Sequence, residues 1–442
     1  MLSFMYEAGT NPPRTMRERT GRRAFVAALG TAVGIAGCTG GSDDEGPDGD
    51  GPAENESTTP TATPESATTD GPVTLGLVTE SDTYQGRAER DAADAAVAHL
   101  NDAGGVLGRE VELVVREHDG KRTGELVDEL GSLAEAGAVG VVHHAASGAH
   151  DWAAEAASRE VMHVHNGLLP DFLVGAGDTG GRSYVAATGR DGRQDGLALG
   201  LALDRALHAD DAALVYPRVH RSLADLATRG FSGSIATEVE YAPFGEPVDG
   251  EAVLDQLTDA DPEAAVFLGH RWAATERVFR TAVRRGFDAD WVTTGVDGEG
   301  VADIARDLPG SVYGVHANSD VTRGTSALDP WPEEATGRWY RTYDAVMLLA
   351  LAVERTGTAT GPAVAEHVRT VSRPPGDTVG VEEFGTARSL LAEGTDVDYR
   401  GASGAVDLGP GMAALVPFDV EPVGGGSTVA ELPRDAFEDR LG

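Results

Sequence analysis

The stretch AVAHLNDAGGVLGREVELVVREHD, residues 96–119, decides the fold of this 442-residue chain. Its first half carries apolar residues at helical spacing, and the glycine-rich NDAGG at residues 101–105 ends that helix. After a further glycine turn, EVELVV at residues 110–115 has the composition of a buried strand. The apolar run VTLGLV at residues 73–78 precedes the helix. The order strand, helix, strand predicts a βαβ unit of a parallel sheet.

The same alternation continues along the chain in two series, the second of which begins near residue 189. Strands of the first series are predicted at 73–78, 110–115, 139–143 and 161–165, with helices at 86–103, 124–136 and 149–158. Strands of the second are predicted at 212–217, 235–241, 264–269, 290–295 and 311–317, with helices at 194–207, 222–229, 251–257, 272–285, 336–354 and 362–371. The strand runs have the composition of strands buried on both faces, as in a parallel sheet. The fold class is therefore α/β, with two doubly wound parallel-sheet halves.

The chain carries 72 acidic and 35 basic residues, a formal net charge of −37. Lys121 is the single lysine, so arginine supplies almost all of the positive charge. This acidity argues against nucleic acid or an anionic membrane surface as a partner. The hydrophobic fraction of 41% is enough for a folded core. Because molar salt shortens the Debye length to about 3 Å and removes most self-repulsion, the composition predicts a halophilic protein.

The segment TGRRAFVAALGTAVGIAGC, residues 20–38, has the order of a twin-arginine signal peptide, with a 14-residue apolar stretch at residues 24–37. As a helix that stretch spans about 21 Å, too short for the hydrocarbon core of a bilayer. Its last four residues, IAGC, resemble a lipobox, in which the cysteine becomes the lipid-bearing N-terminus. We predict a signal peptide at residues 1–37 and a lipid anchor on Cys38 at the outer face of the cell membrane.

The sequence after the anchor has no large apolar residue as far as residue 72 and is rich in Asp, Gly, Ser, Thr and Pro. It cannot bury enough apolar surface to offset its ordering entropy, so we expect a disordered acidic tether over residues 38–72. The folded part then lies outside the cytoplasm. Cys38 is the only cysteine, which excludes intramolecular disulfides and cysteine-based zinc sites.

Motifs of catalysis and of nucleotide binding are missing from the sequence. The segment GFSGS at residues 230–234 has its second glycine one place too early for a nucleophile elbow. The first strand-to-helix turn, TESDTYQG at residues 79–86, lacks the dinucleotide-binding glycines, and the chain has no H-E-x-x-H and no phosphate-binding loop. We therefore predict a protein that binds without catalysis and without a cofactor.

Histidines cluster at or just beyond the carboxyl ends of two neighbouring predicted strands: His143, His144, His150, His163 and His165. Imidazole suits zinc, copper or nickel, so a metal site is one interpretation. Alternation along a strand, however, places His163 and His165 on one face and separates His143 from His144, so the five rings cannot converge. The sequence favours histidines that hold no metal, one or two of which line a cleft.

Five segments resemble, in the right order, the periplasmic-type solute-binding proteins of ABC importers, in the branched-chain amino acid (leucine/isoleucine/valine) group. They are the opening stretch at 96–119, VVHHAASGA at 141–149, GVDGEGVADI at 295–304, YRTYDAVMLLALAVE at 340–354 and DYRGASGAVDLGPG at 398–411. The resemblance covers residues 73–435. It implies a type I clamp, in which two lobes joined by a three-strand hinge close on a small polar solute and the closed form is read by an ABC permease.

On that resemblance the first lobe holds residues 73–188 and 318–411, and the second holds residues 189–317 and 412–435. A monomer is expected. The permease in the membrane and the solute are the implied partners, and the lipid anchor at Cys38 supplies the membrane contact.

The resemblance also assigns ligand contacts. Tyr84 matches an aromatic that closes over the ligand, and Ser147 with Gly148 matches a serine turn before a helix, where a hydroxyl and backbone N–H groups hold a carboxylate. Asp297 matches the acid of the second lobe that pairs with an amino group, and Tyr343 matches an aromatic near the cleft. Each has a structural alternative: a surface residue, a helix cap, a turn former and a core aromatic, respectively.

The chain departs from the amino-acid binders after the fourth strand, where Asn166 and Gly167 stand in place of a small residue and a threonine. One ligand-binding hydroxyl is therefore missing, and the Asn166 amide with the local backbone is the expected substitute. Arg271 stands where relatives often carry an aromatic or small residue, and its guanidinium suits an anionic group. Arg190 and Asp191, at the first crossover, are expected to line the hinge side.

Three functions follow as hypotheses. The first is a lipid-anchored extracytoplasmic protein that delivers a small polar, amino-acid-like solute to an ABC permease. The second is the ligand-sensing subunit of a signalling receptor that uses the same clamp. The third is an enzyme on a doubly wound fold, which only the histidine cluster favours and which requires turnover to be lost when His144 or His165 is replaced.

Overall fold

The computed structural model describes residues 71–80, 82–118, 123–144, 149–242, 247–269, 272–294, 299–318 and 337–442. The predicted twin-arginine segment, the lipobox with Cys38 and nearly all of the predicted tether lie outside these residues. Within the described ranges no helix combines the length and the apolar character that a membrane span requires.

Six strands form the first sheet, and all of its neighbouring pairs are parallel. Numbered in chain order they are β1 (Val73–Thr79), β2 (Val111–Glu117), β3 (Gly140–His143), β4 (Met162–His165), β7 (Val185–Arg190) and β16 (Ala413–Ala414). Their order across the sheet is β2-β1-β3-β4-β7-β16. The apolar residues of β1, β3, β4 and β7 are buried on both faces, as their continuous apolar runs predict, whereas edge strand β2 is only partly buried.

Seven strands form the second sheet, in the order β9-β8-β10-β11-β12-β17-β18. They are β8 (Asp211–Pro217), β9 (Ser234–Tyr241), β10 (Ala264–Phe267), β11 (Asp290–Thr293), β12 (Val312–Ala317), β17 (Phe418–Pro422) and β18 (Ala430–Leu432). Strands β8 to β12 run parallel, and β17 and β18 add antiparallel pairs at one edge of this sheet. The two sheets have separate apolar cores.

The helices pack against both faces of the sheets, which confirms the predicted doubly wound α/β class. They are α1 (Tyr84–Asp102), α2 (Thr123–Glu135), α3 (Ala149–Ser158), α4 (Arg193–Ala202), α5 (Arg221–Gly230), α6 (Gly250–Ala260), α7 (Trp272–Arg285), α8 (Glu299–Ala305), α9 (Gly337–Thr356), α10 (Gly361–His367), α11 (Phe384–Ala392) and α12 (Asp435–Leu441). Five further strands are short: β5 (Asp178–Thr179), β6 (Arg182–Ser183), β13 (Asp377–Gly380), β14 (Val397–Gly401) and β15 (Gly404–Ala405).

Helix α9 is apolar on nearly every side and is buried from Thr342 to Val353. It packs beside α1 on one face of the first sheet and carries α10 and α11 on its outer side. A helix that is hydrophobic all round belongs in the core, which is why the chain returns to the first lobe for this element. On α9 the Asp344 carboxylate accepts hydrogen bonds from the backbone N–H groups of Ala402 and Ser403, each 2.6 Å long. This pair holds the β14–β15 hairpin against the helix.

Three crossovers connect the lobes, after β7, after β12 and after β16. The side chain of Gln194, at the start of α4, bonds both backbone groups of Val416: Nε2 donates to the carbonyl at 3.0 Å, and the N–H donates to Oε1 at 3.3 Å. Asn318 donates from its backbone N–H to the carbonyl of Pro417 at 2.8 Å. The crossovers are thus bonded to one another. Because β16 pairs with β7, the first sheet extends to Ala414, three residues beyond the predicted end at 411.

Candidate functional site

The carboxyl ends of β1, β3 and β4 lie side by side in the first sheet. Open α/β sheets bind ligands in the crevice beyond these ends. Of the predicted ligand contacts, Tyr84 lies here as the first residue of α1, and it is 40% exposed. The hydroxyl of Thr83 accepts a hydrogen bond of 2.9 Å from the N–H of Gly86 and so caps the helix directly before the tyrosine. Tyr84 is therefore both fixed at its backbone and accessible at its ring.

Asn166, directly after β4, has no exposed surface. Its Nδ2 donates to Oγ1 of Thr342 at 2.7 Å and to Oε1 of Glu89 at 3.2 Å. Its carbonyl oxygen accepts a hydrogen bond from Nε of Arg341 at 3.1 Å. The amide that the sequence offers to a ligand thus bonds two helices of the protein, α1 and α9.

Glu89 is the acid at the centre of this network and is 3% exposed. The hydroxyl of Thr79 donates to its Oε2 at 2.6 Å, and Nη1 of Arg338 lies 3.4 Å from its Oε1. Burial raises the pKa of the Glu89 carboxyl above its ordinary value, against the opposing effects of Thr79 and Arg338. The carboxyl is surrounded by donors, as a buried acid must be.

Gly167 is buried as well, and its N–H donates to Nδ1 of His165 at 3.1 Å. The accepting Nδ1 places the ring proton of a neutral His165 on Nε2. A Cβ on Gly189, at the end of β7 beside the first crossover, would lie 2.0 Å from the carbonyl oxygen of Gly167. Segment 166–167 is therefore in close backbone contact with the hinge.

The histidines form a row of contacts and do not converge on one point. The ring of His143 lies 6.0 Å from that of His163, which lies 6.2 Å from that of His165, and His165 lies 4.9 Å from His144. His150 is exposed on α3. In the described part of the chain, no group of three or more His, Cys, Asp or Glu residues has the arrangement of a metal site.

Burial sets the protonation of these rings. Desolvation lowers the pKa of His163 to about 3 and lowers that of His143 well below its ordinary value, with smaller contributions from neighbouring imidazoles. The pKa of His144 is also strongly lowered, first by burial and then by His165. The indole of Trp152 packs against His143 with ring centres 4.3 Å apart. The three rings are neutral at physiological pH, and those of His143 and His163 lie in the core.

Tyr343 lies in the core of the first lobe and has no exposed surface. Its hydroxyl lies 2.7 Å from Nδ1 of His99, and its ring stacks on that of Trp339 at 5.9 Å. Burial raises the pKa of the phenol. The structure thus places the side chain of Tyr343 in the buried contact of α9 with α1.

Four predicted contacts lie outside the described residues: Ser147, Gly148, Arg271 and Asp297. The elements beside them are described. Helix α3 begins at Ala149, directly after the predicted serine turn, and α7 begins at Trp272, directly after Arg271. Asp297 falls between β11 and α8. In sequence, each of the four therefore stands in the connection that follows the carboxyl end of a parallel strand.

Arg190 and Asp191 lie at the first crossover, on the hinge side, where the sequence leads us to expect them. Arg190 forms a two-bond ion pair with Asp195, with N–O distances of 3.0 and 3.2 Å. Asp191 is 1% exposed and pairs with Arg193 at 2.7 Å.

The roles of Glu89 and Arg338 were not predicted from the sequence. The signal for Glu89 was present, since it lies on the apolar face of α1 among buried alanines.

Comparisons with known proteins agree with this architecture. A family model described as periplasmic binding protein matches residues 73–387. The chain is 28% identical over 338 residues to the chemotactic signal transduction system substrate-binding protein BasB of Halobacterium salinarum, covering 74% of this chain and 79% of that protein.

Solved structures share the fold. The substrate-binding protein LivJ of a branched-chain amino acid transporter from Streptococcus pneumoniae, in complex with isoleucine, has a TM-score of 0.51 at 18% identity and covers 81% of this chain and 98% of its own. The leucine-binding protein LivK from Thermotoga maritima has a TM-score of 0.53 at 19% identity, with coverages of 82% and 99%.

Proposed function

The chain belongs to the periplasmic binding protein family, and from that premise we propose that it captures a small polar, amino-acid-like solute between its two lobes and delivers it to an ABC permease. The observation that carries this proposal is the clamp architecture. Two largely parallel sheets in one chain are joined by three crossovers, of which the third is hydrogen-bonded to each of the other two. A clamp of this kind converts solute binding into a change of lobe angle, which a membrane partner can read.

The proposed contacts divide into two groups. Tyr84 is an accessible aromatic of the first lobe, and Ser147 with Gly148 would hold a carboxylate at the start of α3. Asp297 and Arg271 would complete the cleft from the second lobe, the former binding an amino group and the latter an anionic one. Asn166 and Gly167 act differently in this proposal: their buried network fixes the backbone after β4, against which the solute would lie.

Catalysis is not part of the proposal. The buried histidines support this view because rings with pKa values far below neutrality are poor proton acceptors at pH 7. The chain also has no catalytic motif of the classes considered in its sequence. We further propose that it acts as a monomer outside the cytoplasm, held at the outer face of the cell membrane by a lipid on Cys38.

Thermal unfolding in molar potassium chloride tests the solute class. Leucine, isoleucine, glutamine, urea, acetate and succinate would be added separately, and a binding solute raises the unfolding midpoint by an amount that grows with the logarithm of its concentration over its Kd. A rise with at least one amino acid is expected. If none of these solutes raises the midpoint, the amino-acid-like cargo is rejected and the fold assignment stands.

A second function is favoured by one observation, the similarity to a substrate-binding protein of a chemotactic signalling system in a halophile. We propose as the alternative that the closed clamp is read by a signalling receptor. Deleting the gene distinguishes the two: loss of solute uptake with intact chemotaxis supports transport, whereas loss of chemotaxis toward the solute with intact uptake supports sensing.

A further inference from the structure

A pocket of about 190 Å³ lies where the three crossovers meet. We call it the hinge pocket, and its polar walls are supplied by Thr188, Arg190, Asn318, Arg341, Ser403 and Arg434. These residues come from the end of β7, the second crossover, α9, the β14–β15 hairpin and the segment before α12. The volume is many times the roughly 15 Å³ that admits one water molecule. None of the described lining residues is one of the predicted solute contacts.

The charge of the hinge pocket is opposite to that of the protein. Acidic residues outnumber basic ones by 72 to 35 in the chain. Yet the charged residues that line this pocket are three arginines, and none of the described lining residues is Asp or Glu. In so acidic a protein, three guanidinium groups around one cavity are a local concentration of positive charge and of planar hydrogen-bond donors.

Carboxylates outside the lining hold two of these arginines in place. Asp195 binds Arg190 through two hydrogen bonds of 3.0 and 3.2 Å, and Asp407 binds Nη1 of Arg434 at 2.6 Å. Because the ion pairs already fix the two arginine side chains, these side chains would lose little further conformational freedom when a ligand binds them. The same pairs reduce the net charge, so directed hydrogen bonds matter more than bulk attraction in this pocket.

Arg434 also carries a donor without an acceptor. Its Nε is buried and makes no hydrogen bond with any residue that the structure describes. A buried N–H that lacks a partner is costly, and an acceptor supplied by a ligand removes that cost. Arg341, on another wall, donates from Nε to the carbonyl of Asn166 at 3.1 Å and so connects the hinge pocket to the carboxyl end of β4.

We propose that the hinge pocket binds a small oxyanion, a group of the carboxylate, sulfate or phosphate class, through Arg434 and Arg341. Guanidinium forks match the paired oxygens of these groups, and the pocket offers no lining carboxylate that would repel them. Both lobes contribute walls, so the anion binds best at one lobe angle and biases the clamp toward it. This site does not depend on which solute the cleft captures.

Titration calorimetry of the solute-free protein tests the site. Acetate, sulfate and phosphate are titrated separately at constant ionic strength in potassium chloride, which distinguishes the carboxylate from the inorganic anions. Saturable binding of at least one anion is expected. In Arg434→Gln, loss of a charged donor should weaken that binding by about tenfold or more. Arg341→Gln is the second variant and should weaken the same anion.

The matched control is Arg355→Gln. Arg355 pairs with Asp396 at 2.7 Å and is 31% exposed, close to the 35% of Arg434, but it does not line the hinge pocket. Its replacement should leave anion affinity unchanged. Absence of saturable binding with all three anions overturns the proposal. Unchanged anion affinity in both pocket variants, each of which still unfolds cooperatively, also overturns it. Equal weakening of anion affinity in both pocket variants and in the control overturns it as well.

Discussion

Nδ2 of Asn166 donates a hydrogen bond to Oε1 of Glu89, 3.2 Å away, and so joins the end of β4 to the buried face of α1. A second bond from the same nitrogen reaches Thr342 at 2.7 Å. Replacement of Asn166 by Ala removes both donors and leaves the carboxyl of Glu89 less satisfied in a buried place. We expect a loss of about 2–3 kcal/mol in the free energy of unfolding, measured by denaturant titration in molar salt.

The control for this variant is Gln256→Ala, since Gln256 is exposed and bonds only the carbonyl of Ala252 at 3.3 Å. Its effect should stay within about 0.5 kcal/mol. A similarly small effect of Asn166→Ala would mean that the network contributes nothing to stability.

Gly189→Ala tests the close approach at the hinge. The new Cβ would lie 2.0 Å from the carbonyl oxygen of Gly167, so one of the two backbone segments must move. We expect destabilisation of about 2 kcal/mol or more in thermal unfolding. Gly385→Ala, in α11, is the matched control because its Cβ would meet no atom within 4 Å; it should stabilise the helix by about 0.5–1 kcal/mol. Equal effects of the two substitutions would contradict the steric argument.

The buried His163 makes stability depend on pH. Its pKa is lowered to about 3 in the folded protein, whereas in the unfolded chain the imidazole takes up a proton near pH 6.5. The part of the free energy of unfolding that depends on a neutral His163 is therefore fully present above pH 6.5 and is lost as the pH falls toward 3. At pH 5 the loss amounts to about 2 kcal/mol for one such histidine. The stability difference between the parent protein and His163→Gln should shrink by this amount between pH 7 and pH 5.

Denaturant titrations at both pH values provide the measurement, and His150→Gln, on the exposed surface of α3, provides the control. Parallel pH curves for the parent and His163→Gln would show that His163 is not held neutral by burial.

Asp297→Ala tests the proposed recognition of an amino group. Loss of the carboxylate should weaken binding of an amine-bearing solute at least about tenfold, measured by calorimetry with the amino acid that raises the unfolding midpoint. Asp303→Ala is the control, since Asp303, on α8, is 69% exposed and pairs with Arg306 directly after the helix. Unchanged affinity in Asp297→Ala would remove this residue from the cleft.

Local patterns predicted the elements well. The helix expected at residues 272–285 is α7 (Trp272–Arg285), and the strand expected at 73–78 is β1 (Val73–Thr79). Such predictions succeed because apolar periodicity reports which side of an element is buried. The β13–β15 sheet was not predicted as strands, since its short segments carry no clear period.

The site was harder to predict because its contacts are long-range. Asn166 and Thr342 are 176 positions apart, and nothing near either residue indicates the other. Tyr343 fits both a cleft and a core position at helical spacing, and only the packing of α9 beside α1 places it in the core. Glu89 is the exception, because an acid on an apolar helix face is visible in the sequence.

The return of the chain to the first sheet determines the order in which the molecule can be completed during synthesis. Strand β1 emerges from the ribosome first, but α9 and β16, which cover and extend its sheet, follow only after all five parallel strands of the second sheet. Until then the apolar face that α9 buries has no cover. Nascent first lobes are therefore prone to aggregate, and refolding should be slow, since the sheet closes only through contacts distant in sequence.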